Sequence, residues 1–461
     1  MVKDALSDIK VIAQPGQLPG FWDRQAVFFA NLLGLFFGNE EEIQNLANEV
    51  GEIDSYGGRL IPILNLIYRR ENSLLILERE PDEHLCRYFT QGLGLSLPDL
   101  MILEHADYEA TGKELAEGRQ MPACIQRVKE HDARWVDGYV TDQTLALIAG
   151  AVDKKTVATA KGSQSGNNKY LLHQYLQQSG LPVALTETAG DNEQVKAALL
   201  RLRDAGYSEA VIKSQIGASG IGMMKVELDE GMATIEVPQH YFFEGDVLVQ
   251  AWLKIGEKGV GNMRSPSVQL FLNEDEVCLY DITEQILSAA SIHEGNESPP
   301  AYLHEEPSLE QELLRQSGIA GQWLHRTGYR GTASVDFILV DREGAQETEV
   351  YVCEINARVT GATYPSVLAR HLKKGGAWLL RNLRLSEPQS GDVLLDMLDR
   401  PGHLYMPGMK GGVVPINFNF GEDGLVHKGQ FLCMADTPAA CHQLLDLAEA
   451  DLPIAMELVR D

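Results

Sequence analysis

Apolar and polar positions alternate most regularly in the second half of the chain. The stretch RSPSVQLFLNEDEVCLYDITEQIL (264–287) alternates on both sides of Asn273–Glu276 and predicts a β-hairpin. A second alternating pair, GTASVDFILV (331–340) and EVYVCEIN (349–356), flanks DREGAQ and predicts a hairpin turning near Gly344–Ala345. Between the two hairpins, PSLEQELLRQSGIAGQWLHRTG carries the 3.6-residue period of an amphipathic helix. Upstream, NNKYLLHQYLQQSGLPV predicts a capped helix that ends at Gly180, with Pro182 just beyond. EAVIKSQ and MMKVEL are strands around the glycine-rich GASGIG, and VLVQAWL is a further strand. In the first third, SLLILERE (73–80), a helical stretch around DEHLCRYFTQGLGL and the extended run LPDLMILEH predict a strand–helix–strand unit with a parallel pair. VTDQTLALIAGAVD predicts a helix capped by Thr141 or Asp142. Beyond residue 387, GVVPINFNF and KGQFLCMA are strands, and TPAACHQLLDLAEA is a helix capped by Thr437. GEKGVGNMR (256–264) reads as a loop, either mobile and able to cover substrate or a plain surface loop. There is no internal repeat and no low-complexity segment.

One apolar run asks a different question. AVFFANLLGLFFG (26–38) has the length of a signal-peptide core, but acids precede it and NEEE follows it, and it is too short to span a bilayer. It is predicted as a buried helix. Length adds that 461 residues exceed one ordinary core, so two to four domains are expected. A net charge of -27 excludes a nucleic-acid or anionic-membrane surface as the main partner. Six cysteines without any C-x-x-C spacing read as reduced thiols of a cytoplasmic protein.

The candidate chemistry begins with parity. In CEINARVTGATYP (353–365), Glu354, Asn356 and Arg358 fall on one face of an extended strand. If the hairpin turns near Gly344–Ala345, Asp336 lies opposite Glu354. Like charges placed opposite each other are destabilising unless a cation sits between them. Two carboxylates and an amide oxygen are hard donors of the kind Mg²⁺ prefers, with waters and substrate phosphates completing its shell. The glycine loop VIKSQIGASGIGMMKV has neither Rossmann nor Walker A spacing. As a hairpin tip it is either a plain turn or a cradle of backbone N–H groups for phosphate oxygens. Lys213 before the tip and Lys169 at a helix start are point cations suited to phosphate. The histidines show no metal-ligand spacing.

The order of these pieces resembles that of the ATP-grasp ligases from about Val157 to Leu372. GYVTDQ, NNK, SPSVQL, DITEQIL, GYRGTASVDF and CEINARVTGATYP are similar to marks of the pheganomycin-type peptide ligases. The resemblance implies an α/β chain with an ATP-grasp fold, α+β in its core. The expected domains are a pre-ATP-grasp α/β domain over 1–156, the ATP-grasp domain over 157–385 and a small α/β domain over 386–461. The ATP-grasp domain would divide into a nucleotide lobe at about 157–252 and a catalytic lobe at about 253–385. It implies that Lys169 and Lys213 bind ATP phosphates and that Gly217, Ser219, Gly220 and Gly222 close over them. Gln250, Ala251 and Leu253 would line the adenine pocket, and Glu257 would meet the ribose. Asp336, Glu354 and Asn356 would hold Mg²⁺, or Mn²⁺ on the same oxygens, while Arg358 would face the transferred phosphoryl group. Two departures stand out: Gln250 replaces a common Glu, and Ser334 stands where some relatives carry arginine, with Arg330 as a substitute.

The activity so implied joins a carboxylate, as of an amino acid or peptide, to an amine with release of ADP and phosphate, in small-molecule biosynthesis. Two rivals are loading of an amino acid onto a carrier-protein thiol and a nucleotide-binding regulator without turnover. Partners would be small carboxylates and amines, with neither nucleic acid nor membrane; a homodimer is compatible with this reading.

Overall fold

Three sheets organise the chain. The computed structural model describes residues 9–50, 57–69, 71–218, 220–287 and 293–455; Ser219, one of the loop residues singled out above, lies outside them. After β1 (Lys10–Ala13), the strands β2 (Ala26–Phe29), β3 (Leu74–Leu77), β4 (Asp99–Ile102), β5 (Trp135–Gly138) and β6 (Lys155–Thr156) form a parallel sheet in the order β4-β3-β2-β5-β6. The parallel pair expected from SLLILERE and LPDLMILEH is β3 with β4, Leu74 opposite Asp99. Asp142 caps the helix Gln143–Ala151 by accepting from the Leu145 N–H at 2.7 Å.

The apolar run 26–38 is not a helix. Its first four residues are strand β2, buried throughout, and Leu32–Phe36 form a single 3-10 turn. A short apolar run buried on both faces of a parallel sheet has no alternation to separate it from a buried helix.

The second sheet is antiparallel: β7 (Thr186–Ala189), β8 (Glu209–Lys213), β9 (Met223–Glu227) and β10 (Val247–Ala251), ordered β7-β10-β8-β9, with helix Asn192–Asp204 packed on it. The glycine loop is the β8–β9 tip. Ser214 N–H donates to Gly222 O at 2.8 Å, and Lys213 pairs with Met223 in register.

The third sheet has ten strands. β11 (Val260–Arg264), β12 (Pro266–Leu272), β13 (Glu276–Leu287), β14 (His293–Ser298), β15 (Gly331–Arg342), β16 (Glu349–Asn356), β17 (Ala377–Gln389), β18 (Gly412–Phe420) and β19 (Val426–Ala435) join β1, which pairs with β13 in parallel. The main path runs β11-β15-β12-β13-β14-β17-β19-β18, with β16 on the other side of β15. Strand β11 corrects the loop expectation for 256–264, since only Gly256–Gly259 is a turn and Met263 pairs with Val340. Glycines flanking a short strand hid it.

The amphipathic helix Pro307–Arg326 buries Leu309, Leu313, Ala320 and Leu324 against β12, β13, β15 and β16. A separate, larger core joins Phe28, Leu75 and Leu77 of the first sheet to Trp378, Val414 and Phe431 of the third. Helix Thr363–Leu372 is fixed by a buried ion pair, Arg370 Nη2 to Asp281 Oδ1 at 2.8 Å, to which Trp378 Nε1 and Ser298 Oγ also donate, at 3.1 and 2.7 Å. Among the described residues no helix is long and apolar enough to cross a membrane.

Candidate active site

The β15–β16 hairpin builds the centre of the site. Its register places Asp336 directly opposite Glu354 and Ser334 opposite Asn356. Asn356 Nδ2 donates to Asp336 Oδ2 at 2.8 Å and lies 3.5 Å from Glu354 Oε1, so the amide bridges the two acids. A half-turn of that amide exchanges the amino group for Oδ1 and leaves three oxygens converging, a donor set that fits Mg²⁺. Among the described residues no group of three or more His, Cys, Asp or Glu side chains gathers into a metal cage. Two carboxylates and an amide suit a cation that shares its shell with substrate phosphates.

Neighbouring groups set the charges. Burial, followed by the Glu354 charge, pushes Asp336 up to about 6, while Ser267 Oγ at 2.6 Å and Ser334 Oγ at 3.2 Å donate to its Oδ1 and oppose the rise. Burial also works against the Glu354 charge, but Lys169, whose Nζ is 3.0 Å from Glu354 Oε2, overrides it with help from Arg358 and Lys213. Glu354 is therefore held below the ordinary carboxylate range. Burial, reinforced by Lys169, lowers the Lys213 ammonium against the pull of Cys353 and Glu354. Burial pushes the Cys353 thiol up to about 12, so it is not a thiolate at neutral pH.

Lys169 connects the site to the glycine loop. Asn168 caps its helix by accepting from Leu171 N–H at 2.9 Å, and Lys169 Nζ donates to Gly217 O at 2.8 Å. One ammonium thus touches both Glu354 and the glycine loop. Lys213 Nζ donates to Gln250 Oε1 at 2.9 Å, and Gln250 Nε2 donates to Thr186 Oγ1 at 2.9 Å. Lys169, Lys213 and Gln250, with His173, Val352 and Cys353, line a narrow cleft between the second sheet and the β15–β16 hairpin.

Other expected residues sit apart from this cluster. Ala251 is buried and gives its N–H to Leu185 O at 2.9 Å, and Leu253 follows the strand, half-buried. Glu257 hydrogen-bonds Ser208 and lies 4.0 Å from Lys254 in the turn before β11. Arg330 donates to the His325 and Tyr329 carbonyls at 2.9 and 2.6 Å, at the start of β15 and six positions before Asp336. Its two backbone acceptors engage the guanidinium at a helix C-terminus rather than at the acids.

Arg358 has a partner that the parity argument missed. Asn167 Oδ1 accepts from Arg358 Nη1 at 2.6 Å and from Ala357 N–H at 3.1 Å, while Asn167 Nδ2 donates to Ser163 O at 2.8 Å. The signal was the Asn167-Asn168-Lys169 run, read as a helix cap when its first residue clamps a strand end 190 residues away.

Known proteins share parts of this sequence and its fold. A family model described as the ATP-grasp domain matches residues 166–362. Over 210 residues the chain is 30% identical to the [butirosin acyl-carrier protein]--L-glutamate ligase of Niallia circulans. That stretch is 45% of this chain, and it spans about half, 46%, of the relative's length. An ADP complex of N5-carboxyaminoimidazole ribonucleotide synthetase superposes over 96% of this chain and 98% of its own, with a TM-score of 0.54 at 13% identity. The biotin carboxylase of Campylobacter jejuni, in a β-γ-ATP complex, covers 94% of this chain and 92% of its own, at 0.56 and 12%. At such identities the likeness speaks for the fold alone. The fold is that of the ATP-grasp proteins, and residues 166–362 match the model of the ATP-grasp domain.

Proposed function

We propose, from the ATP-grasp domain over residues 166–362, that the protein is an ATP-dependent ligase that phosphorylates a carboxylate and passes the resulting acyl group to an amine. The observation that carries this reading is the convergence of Asp336, Glu354, Asn356 and Lys169 at one end of a strand pair that continues into Arg358. A carboxylate is a poor electrophile because its leaving group is oxide; as an acyl phosphate it leaves phosphate instead. Phosphoryl transfer asks for positioned positive charge more than for covalent side-chain chemistry.

Lys169 and Lys213 would neutralise ATP phosphates. The loop carrying Gly217, Gly220 and Gly222 would cover them and keep water from the acyl phosphate. Asp336, Glu354 and Asn356 would hold Mg²⁺, which when bound supplies charge neutralisation along the phosphates. Arg358, oriented by Asn167, would present a planar donor fork to the transferred phosphoryl oxygens.

A second reading, loading of an amino acid onto a carrier-protein thiol, is favoured by one finding: the acceptor in the name of the Niallia circulans relative is an acyl-carrier protein. The two readings share every step up to the acyl phosphate and differ only in the nucleophile. Purified protein supplied with ATP, Mg²⁺ and a panel of amino acids should form ADP when a second amine is added, on the first reading. On the second, ADP formation requires a phosphopantetheinyl carrier protein. ADP formation without any carboxylate, or stoichiometric pyrophosphate with either partner, contradicts both.

A further inference from the structure

Four residues of the second sheet share the face that borders the cleft: Thr186, Lys213, Leu248 and Gln250. Strand β10 runs between β7 and β8, with Gln250 opposite Thr186 on one side and Leu248 opposite Lys213 on the other. Directly opposed residues, and residues two apart along a strand, point to the same side of a sheet. Lys213, Leu248 and Gln250 line the cleft, whereas Thr186, on the edge strand β7, is not among the lining residues.

The polar groups on this face form a chain whose direction is fixed at both ends. Thr186 Oγ1 donates its single proton to Ala184 O at 2.9 Å, so toward Gln250 it can only accept. An ammonium has three donors and no acceptor, so toward Gln250 Lys213 can only donate. Both neighbours therefore demand the same orientation of the Gln250 amide, with Nε2 to Thr186 and Oε1 to Lys213, each at 2.9 Å. The flipped amide would set donor against donor at Lys213 and acceptor against acceptor at Thr186. The chain thus runs from the Lys213 ammonium through Gln250 and Thr186 to a backbone carbonyl.

Such a chain does to Lys213 what a carboxylate would not. A lysine on a four-carbon stem has many rotamers to lose, and the Lys169 charge works against its ammonium. A fixed, neutral acceptor holds the ammonium in place without cancelling its charge, which stays available to an anion in the cleft. An acid at position 250 would hold it equally well but spend the charge in an ion pair. We propose that Gln250, oriented by Thr186, is a positioning residue that fixes the Lys213 ammonium for the nucleotide phosphates and takes no part in choosing the base. Gln250 thereby serves the phosphate end of the nucleotide, although its place in the linker strand suggested the adenine pocket. This role rests on the nucleotide reading proposed above.

Isothermal titration of the full chain with the β,γ-imido analogues of ATP and GTP, in the presence of Mg²⁺, tests this. Gln250→Met keeps the length of the side chain and removes the acceptor. It should weaken the ATP analogue about tenfold and leave the preference over the GTP analogue unchanged. Thr186→Val, outside the cleft lining, should weaken it in the same direction but less. Lys213→Met should weaken it at least as much as Gln250→Met, and adding Gln250→Met to Lys213→Met should cost nothing further, because the effect runs through that ammonium. An additive loss in the double variant, or a changed ATP-to-GTP preference, would make Gln250 a direct contact of the base and overturn the proposal. Wild-type affinity in both Gln250→Met and Thr186→Val overturns it too, with the nucleotide reading left standing. Should Gln250→Met melt below wild type, Thr186→Val carries the same cycle with Lys213→Met. Absence of binding of either analogue by the wild-type chain overturns the nucleotide reading and this role together.

Discussion

Arg358 depends on Asn167. A guanidinium on flexible methylenes gains little from proximity alone; the 2.6 Å bond to Asn167 Oδ1 fixes where its remaining donors point. Under the ligase reading its interaction with phosphoryl oxygens matures in the transition state. Arg358→Lys is then expected to keep ATP affinity and melting temperature near wild type while lowering kcat about 10²-fold. Rescue of kcat by lysine would instead mark a simple counter-charge to Asp336 and Glu354. Those two acids call for a paired test. Glu354→Gln and Asp336→Asn should each cost about 2–4 kcal/mol of transition-state stabilisation, read as kcat/KM at limiting Mg²⁺, with the fold intact. Wild-type rates in both would make the acids structural. The parity of 354, 356 and 358 was legible because a strand has one period and a hairpin one register. Asn167 was not legible, because side-chain contacts across long sequence separations leave no local pattern.

At the scale of elements, the glycine loop shows what conformation adds to composition. Gly220 has φ +87°, and a Cβ there would meet nothing within 4 Å, so space does not exclude a side chain but backbone conformation does. At Gly217 the reverse holds: a Cβ would come 2.5 Å from Ile221 O. Gly220→Val should therefore raise the KM for ATP or lower kcat through loop strain alone, and Gly220→Asn, which tolerates positive φ, should recover much of the loss. Equal steady-state constants for all three would show that the loop does not serve the nucleotide. Elements with strong alternation or helical period, such as β12, β13, β15, β16 and Pro307–Arg326, were readable from the chain. β2 was not, because continuous burial erases alternation, and β11 was not, because flanking glycines imitate a loop.

For the whole molecule, buried acids set how stability responds to pH. Asp137 on β5 accepts from the Tyr68 hydroxyl, and burial, only partly opposed by that hydrogen bond, raises its carboxyl to about 7. A folded value above the ordinary value near 3.9 means the native state binds the extra proton. This group's stability contribution is full below about pH 4 and is lost as pH rises through about 7. Asp137→Asn keeps an acceptor for Tyr68 and removes the charge. It should melt higher than wild type at pH 8, with the gap narrowing toward pH 5; a pH-independent gap would exclude the linkage. The arrangement of the three sheets around the cleft was the least legible level. No periodicity announces that β17, β18 and β19 extend the sheet holding Asp336, or that Leu77 and Phe431 share a core.

The central claim is that a carboxylate is activated by direct phosphorylation, and the fate of its oxygen tests this most directly. Amino acids labelled with oxygen-18 in the carboxyl group, incubated with ATP, Mg²⁺ and the acceptor that supports turnover, should yield inorganic phosphate carrying one labelled oxygen and unlabelled ADP. Labelled AMP, or turnover whose phosphate carries no label, would contradict the account.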